Sequence, residues 1–307
     1  MSSTYGHLHE DIALVVALCE TLVPSMNGTS MRRLQFLLDE LATDPNGDNL
    51  YDNDRAWLTC GLSTAIQRRA WWANQLGRLA DTGVTTVTSS NREYPINLSL
   101  VHDGPPILFV NGELHEQDRR AVAVVGTRNA TPTGIKLAQE ISSVLAAENC
   151  TVVSGLAKGI DTAAHTATLD AGGRTIAVFG TPIDKVYPTN NQALAQRISR
   201  NGACVSQFLP HIPTGPWAFP ARNITTSALS LATVVVEANA TSGARLQAEA
   251  ALRHGKRVFL VDSLVTSERW AQEMASNYLS VSVATNAELI VKELNEELEV
   301  EHTAVFA

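Results

Sequence analysis

The stretch AVAVVGTRNATPTG, Ala121 to Gly134, decides the fold. An apolar run ends at Gly126, a short polar loop follows, and Thr131 and Pro132 then open a helical run. Thr131 suits the N-cap, and Pro132 suits the first helical position, where its missing N–H would have no partner in any case. Strand, glycine, loop and helix in that order cradle phosphate in many proteins, because free N–H groups and the positive end of the helix dipole together attract an anion. Thr127 adds a hydroxyl and Arg128 a guanidinium fork. The loop is not a dinucleotide fingerprint, since its spacing is not G-x-G-x-x-G and no acidic residue closes the second strand. Nor is it a Walker loop, since Gly-Lys-Ser/Thr is missing.

Outward from this unit the same grammar repeats. Short apolar strands (TVVSG, TIAVFG, ACVSQF, TVVVEA, RVFLVD) alternate with helical stretches (DTAAHTATLDAGG, NQALAQRISRNG, ARLQAEAALRHG). Near-continuous apolar strands separated by helices imply a parallel sheet covered on both faces. The expected fold is α/β, a Rossmann-like doubly wound and mainly parallel sheet, completed by SERWAQEMAS, LSVSVA and NAELIVKELNEELE. Residues 1–90 read differently. DIALVVALCETLV, MRRLQFLLDELA and AIQRRAWWANQLGRLADTG are helical, with a turn-rich acidic loop at Asp44–Asp54, so a small helical accessory domain is expected there. The adjacent Trp71 and Trp72 point in different directions, and at least one belongs in the core. The expected boundaries are 1–90, 91–300 for the Rossmann-like domain, and a tail at 301–307.

Composition bounds the function. The 307 residues are 45% hydrophobic and 18% charged, values of an ordinary soluble protein. The polar start MSSTYGHLHE is no signal segment, and no apolar run approaches the ~20 residues a membrane span needs, so the cytoplasm is the expected address. The four cysteines form no C-x-x-C pair and the eight histidines no H-E-x-x-H pattern, so no disulfide framework, metal or cofactor is expected. Net charge is −8, but Ala121–Leu260 carries twelve Lys and Arg against seven Asp and Glu, a net +5 between acidic ends. A basic centre of this kind is what a phosphate-bearing partner requires.

In an open α/β sheet ligands sit beyond the C-terminal strand ends, so the post-strand loops hold the candidate residues. SGLAKGIDTAAH places Lys158 in a glycine-flanked turn, with Asp161 and His165 four apart on one helix face. With no nearby nucleophile, that pair reads as a helix-start Asp and a core histidine. FGTPIDKVYPTNN carries Tyr187, which either stacks on a base or packs internally. FPARNITTSALS puts Arg222 and Asn223 just ahead of a helix. In VVVEANATSGARLQAEAALRHGKR, Glu237 closes a strand, Ser242 and Gly243 open a second anion nest, and Arg245 lies in the first turn after it.

These motifs in this order resemble the DNA-processing protein A (DprA/Smf) family, from about Tyr94 to Asp262 and more loosely to Glu297. The resemblance also takes in the approach segment YPINLSLVHDGPPILFVNGEL. It implies a Rossmann-like protein that binds single-stranded DNA in a basic pocket beyond the strand ends, self-associates as a homodimer, and loads a RecA-type recombinase during natural transformation, with no enzymatic activity. By motif position Gly126, Arg128, Lys158, Arg222 and the Ser242/Gly243 turn become the candidate phosphate contacts, and the reading of the loops adds Thr127, Asn223 and Arg245. Four departures mark a divergent member. ITTSALS follows FPARN where the family has a further Arg and a Gly, and Gln207 replaces a commonly acidic residue. SERWAQEMAS stands where a Gly-Thr-Asn stretch is usual, and no winged-helix segment follows. The alternative is a nucleotide sensor, or a nucleoside-monophosphate phosphoribohydrolase using Glu249, although the Gly-Gly pair of those enzymes is absent. A scaffold whose glycine loops are only turns is a third reading.

Overall fold

The computed structural model describes residue 8, residues 11–26 and residues 28–305, with side chains as far as Glu296. Among them nine strands form one sheet in the order β1-β2-β6-β5-β4-β3-β7-β8-β9. The parallel strands are β3 (Ala121–Val125), β4 (Thr151–Ser154), β5 (Thr175–Val178), β6 (Ala203–Ser206), β7 (Ala232–Val235), β8 (Arg257–Val261) and β9 (Val281–Ala284). The helices between them are α5 (Pro132–Ala147), α6 (Ile160–Asp170), α7 (Gln192–Asn201), α8 (Ala218–Leu229) and α9 (Gly243–Arg253), then α10 (Asp262–Ser267), α11 (Arg269–Asn277) and α12 (Ala287–Val305). The α/β reading of the sequence therefore stands. β3 through β8 are buried along nearly their whole length, which is why they read as apolar runs rather than as alternation.

The amino-terminal third departs from expectation in two ways. First, it is not all helix: β1 (Val84–Thr88) pairs antiparallel with β2 (Ile107–Gly112), which in turn pairs antiparallel with β6. The boundary drawn at residue 90 therefore falls inside a sheet-forming segment. Second, α1 (Ile12–Leu22), α2 (Gly28–Thr43) and α3 (Asp52–Asp81) share one core with the sheet instead of closing on themselves. Val15, Leu18, Leu34 and Trp72 pack in the same cluster as Phe109, Ala177 and Phe208, because the apolar sheet face would otherwise be left in water. The acidic loop is also shorter than expected, since α3 begins at Asp52 with Asp52 and Asp54 in its first turn, where the helix dipole favours negative charge.

Of the tryptophan pair, Trp72 is fully buried, and its Nε1 donates to the Glu20 carboxylate at 2.8 Å. Gln207 joins the helical layer to α8. Its Nε2 donates to Met26 O at 2.6 Å, and its Oε1 accepts from the Thr225 hydroxyl. A carboxylate could not make the first bond, which accounts for an amide at this position. At the far end α12 runs on to Val305, so no separate tail starts at 301, and residues 306–307 lie outside the described residues.

Candidate nucleic-acid interface

From β3 the chain proceeds outward through β4, β5 and β6, then returns to lay β7 on the other side of β3. The loops leaving β3 and β7 therefore part in opposite directions and open a crevice at the sheet's switch point. A cleft of about 400 Å³ occupies it, closed by the β4–α6 turn and by α8. That size suits a nucleotide-sized group.

Several predicted residues meet there: Gly126, Thr127 and Arg128 from the first loop, Arg222 and Asn223 from α8, and Ser242 and Gly243 at the head of α9. Gly126 is required by crowding, because a Cβ at this position would meet Ile160 Cγ1 at 2.4 Å and Glu237 O at 2.9 Å. Arg128 is exposed, with its guanidinium 5.1 Å from the centre of the Phe219 ring. Lys158 is exposed on the adjoining turn. That turn is pressed against the first loop at Gly159, which has φ of +79° and would place a Cβ 2.4 Å from Thr127 O. Ser242 caps α9 by accepting from Ala244 N at 3.2 Å, and Gly243 is exposed beside it with no atom closer than 3.7 Å to an added Cβ. Asn223 holds this end in place by donating to Gly243 O at 3.0 Å.

Arg222 and Asn223 lie inside α8, which begins four residues earlier at Ala218, and not ahead of a helix as expected; Arg222 is also not the free cation the sequence suggested. It is 6% exposed, and its Nη1 donates to Gly155 O at 2.5 Å and Val178 O at 2.8 Å. It thus forms the charged floor of the cleft and spends donors on carbonyls that the sheet end would otherwise leave bare. Asp161, also in the lining of the cleft, accepts from Gly155 N at 3.1 Å and Ala157 N at 3.3 Å. Burial pushes the Asp161 carboxyl above the ordinary carboxylate range, against the pull of Arg222 and those amides. Burial likewise lowers Arg222, with Asp161 opposing.

Three residues stand outside the cleft's lining. Arg245 turns away to pair with Glu249 at 3.0 Å, its guanidinium 5.9 Å from the Trp270 ring, which also takes Glu249 out of consideration as an acid facing the cleft. Tyr187 is 55% exposed at the rim, its ring 5.8 Å from that of Phe219. Lys158 sits at the edge in the same way.

His165 does not meet Asp161. Its Nδ1 lies 2.7 Å from Thr175 Oγ1, whose single proton goes to Val152 O, so Nδ1 carries the hydrogen and donates. Burial, with the Arg222 charge nearby, drives its pKa down to about 3. It is a neutral core imidazole.

The structure adds groups and roles that sequence reasoning did not supply, and it places Glu237, expected to close a strand, in the loop two residues beyond β7. Phe219, three residues before Arg222 and hence on the same helix face, walls the cleft; the FPARN spacing carried that signal. Glu237 supplies the carboxylate at the start of α5: its Oε2 accepts from Thr131 N and from Thr131 Oγ1, each at 3.0 Å. A hydrogen-bonded Ser227–His254–Asp103 chain also exists, with Oγ to Nδ1 at 2.8 Å and Nε2 to Oδ1 at 2.7 Å. It has the order of a nucleophile triad, but Ser227 is 0% exposed and none of the three lines the cleft, so it braces α8 against the β8 approach and the loop after α4 (Ile96–Ser99).

Fold and cleft together define a doubly wound α/β protein with a switch-point crevice floored by a buried arginine. Residues 85–295 match the family described as DNA recombination-mediator protein A, and the chain belongs to that family. The DNA processing protein DprA of Bacillus subtilis is 33% identical over 187 residues, 61% of this chain and 63% of that protein. DprA of Streptococcus pneumoniae is 40% identical over 168 residues, 55% of this chain and 59% of that protein. The chain thus spans less than two thirds of the length of these curated relatives. An X-ray structure of DNA processing protein A from S. pneumoniae superposes with a TM-score of 0.74 at 27% identity, covering 92% of this chain and 97% of that one. The Helicobacter pylori protein, whose structure is described as showing a unique single-stranded DNA binding mode, superposes with a TM-score of 0.61 at 25% identity, covering 70% of this chain and 96% of that one.

Proposed function

We propose that the cleft binds single-stranded DNA, and that the protein protects the strand and passes it to a RecA-type recombinase, acting as a homodimer and without chemistry of its own. One observation carries this reading. At a single switch-point crevice, exposed Arg128 and Lys158, the open head of α9 and the Phe219 and Tyr187 rings all lie within reach of one flexible strand. Cations and helix amides suit the phosphates, while the rings suit unstacked bases, which a duplex does not present. Family membership supports the same reading, as does the single-strand binding described for the H. pylori protein. The pairing of Glu249 with Arg245 counts against a phosphoribohydrolase. Among the described residues no helix is long and apolar enough to cross a membrane, in keeping with a cytoplasmic role.

The test is fluorescence anisotropy of a labelled oligo-dT over a salt series, with duplex DNA as competitor. Binding should prefer the single strand and weaken steeply with salt. Arg128→Ala and Lys158→Ala should each weaken it and flatten the plot of log K against log salt by about 0.7. Unchanged affinity and slope in both variants would place the strand elsewhere. Release of free base from nucleoside monophosphates would favour the nucleotide enzyme instead.

A further inference from the structure

The heads of α9 and α5 look alike in sequence and differ in the structure: Ser242 and Gly243 line the crevice, whereas Thr131, Gly134 and Glu237 line an adjoining pocket that shares Thr127 and Asn239 with it. Thr131 caps α5 and Ser242 caps α9, each following a glycine- or threonine-containing loop. At α9 the first turn faces the cleft, and Gly243 is exposed. At α5 the position an incoming anion would take is held by the chain's own carboxylate. Gly134 N donates to Thr131 Oγ1 at 3.0 Å, and that hydroxyl donates to Glu237 Oε2 at 3.0 Å, alongside the bond from Thr131 N. Gly134 makes room for this arrangement, since a Cβ there would lie 2.0 Å from Oε2. The main chain is tied in as well, with Thr127 N donating to Glu237 O at 2.6 Å. Glu237 belongs to the loop that leaves β7, so the two loops bordering the crevice are fastened together through this one residue.

We infer that Glu237 is a specificity-determining residue, an internal anion that closes the head of α5 to phosphate and so keeps a strand bound in the crevice from running on into the adjoining pocket. The inference rests on the proposed binding of single-stranded DNA in the cleft. A phosphate brought to within about 4 Å of the carboxylate would meet a like charge, a repulsion equivalent to about a fivefold loss of affinity even in the high-dielectric limit. The same negative charge stabilises the start of α5, so closing the site also secures the helix.

The deciding variant is Glu237→Gln, which keeps an oxygen acceptor for Thr131 and removes the charge. Its affinity for oligo-dT at low salt is expected to rise about fivefold, and its plot of log K against log salt to steepen by about 0.7, the signature of one further phosphate contact. Gly134→Ala, which drives the carboxylate off the helix end while leaving its charge in the protein, should give a smaller gain. Because Glu237→Gln can also weaken the cap, melting is followed in parallel. A folded Glu237→Gln protein with wild-type affinity and slope, or with weaker binding, overturns the inference and leaves Glu237 as a cap alone. If the wild-type protein binds no DNA, the reading of the cleft fails separately. Inorganic phosphate in a thermal-shift assay then tests Glu237: phosphate should stabilise Glu237→Gln and not the wild type, and equal responses would overturn the inference.

Discussion

Gly155→Ala is the sharpest test of how the floor of the cleft is built. A Cβ at this position would lie 1.8 Å from Arg222 Nη1, 2.3 Å from Cζ and 2.6 Å from Nη2, so the whole guanidinium must move. Arginine is flexible at its tip, but this tip is buried and donates to Gly155 O and Val178 O. Hydrogen bonds to charged groups contribute about 1.5–3 kcal/mol each, so displacing both costs about 3 kcal/mol even at the lower bound. At about 2–4 °C per kcal/mol for a large domain, the melting temperature should fall by about 6 °C or more. Oligo-dT binding should weaken in the same protein, since the charge beneath the phosphates has been displaced. Gly243→Ala is the matched control: nothing lies within 3.7 Å of its Cβ, and stability should stay within about 0.5 kcal/mol of wild type. Circular-dichroism melts and urea titrations supply the measurement. A Gly155→Ala protein that melts within about 1 °C of wild type would refute the packing of Arg222 against Gly155.

Tyr187→Ala should weaken oligo-dT binding by about 1–3 kcal/mol while leaving the salt slope unaltered, because stacking involves no counterion release; a flattened slope would mean that the ring acts through charge. Gln207→Glu replaces the donor to Met26 O with a second acceptor in a fully buried position, and should cost about 1–3 kcal/mol in a urea titration; an unchanged midpoint would show that the helical layer does not depend on this bond. His165 has a folded pKa of about 3 against an ordinary value of 6.5, so the unfolded chain binds the extra proton between those limits. Its contribution to stability is therefore complete above about pH 6.5 and is lost as pH falls towards 3. Replacing His165 with Gln should flatten the acid side of the stability profile, and an unaltered profile would show that the ring is not held neutral.

The legible part of this protein lay in short-range patterns. The strand and helix alternation after Ala121 follows from residue types a few positions apart, and so does the glycine-to-proline start of α5. The amino-terminal strands were not legible, because VTTVT and ILFVNG are too brief to distinguish from loop without the neighbouring β6 that pairs β2. Arg128 could be placed at the crevice because it sits in a loop directly after a strand, and the same argument brought Lys158 only to the edge. Arg245 could not, because whether its side chain reaches the cleft or its own Glu249 depends on where α9 turns.

By itself, then, the sequence determined the doubly wound class, the positions of the post-strand loops and the family, all properties of local periodicity and ordered motifs. The tertiary structure alone decided which charges remain available to a ligand. Arg222 meets Gly155 across 67 residues of chain, and Glu237 meets Thr131 across 106. A helix end or a guanidinium is open or satisfied according to what the fold brings within about 3 Å of it, and hydrogen bonds and like-charge repulsion act on that distance whatever the separation along the chain.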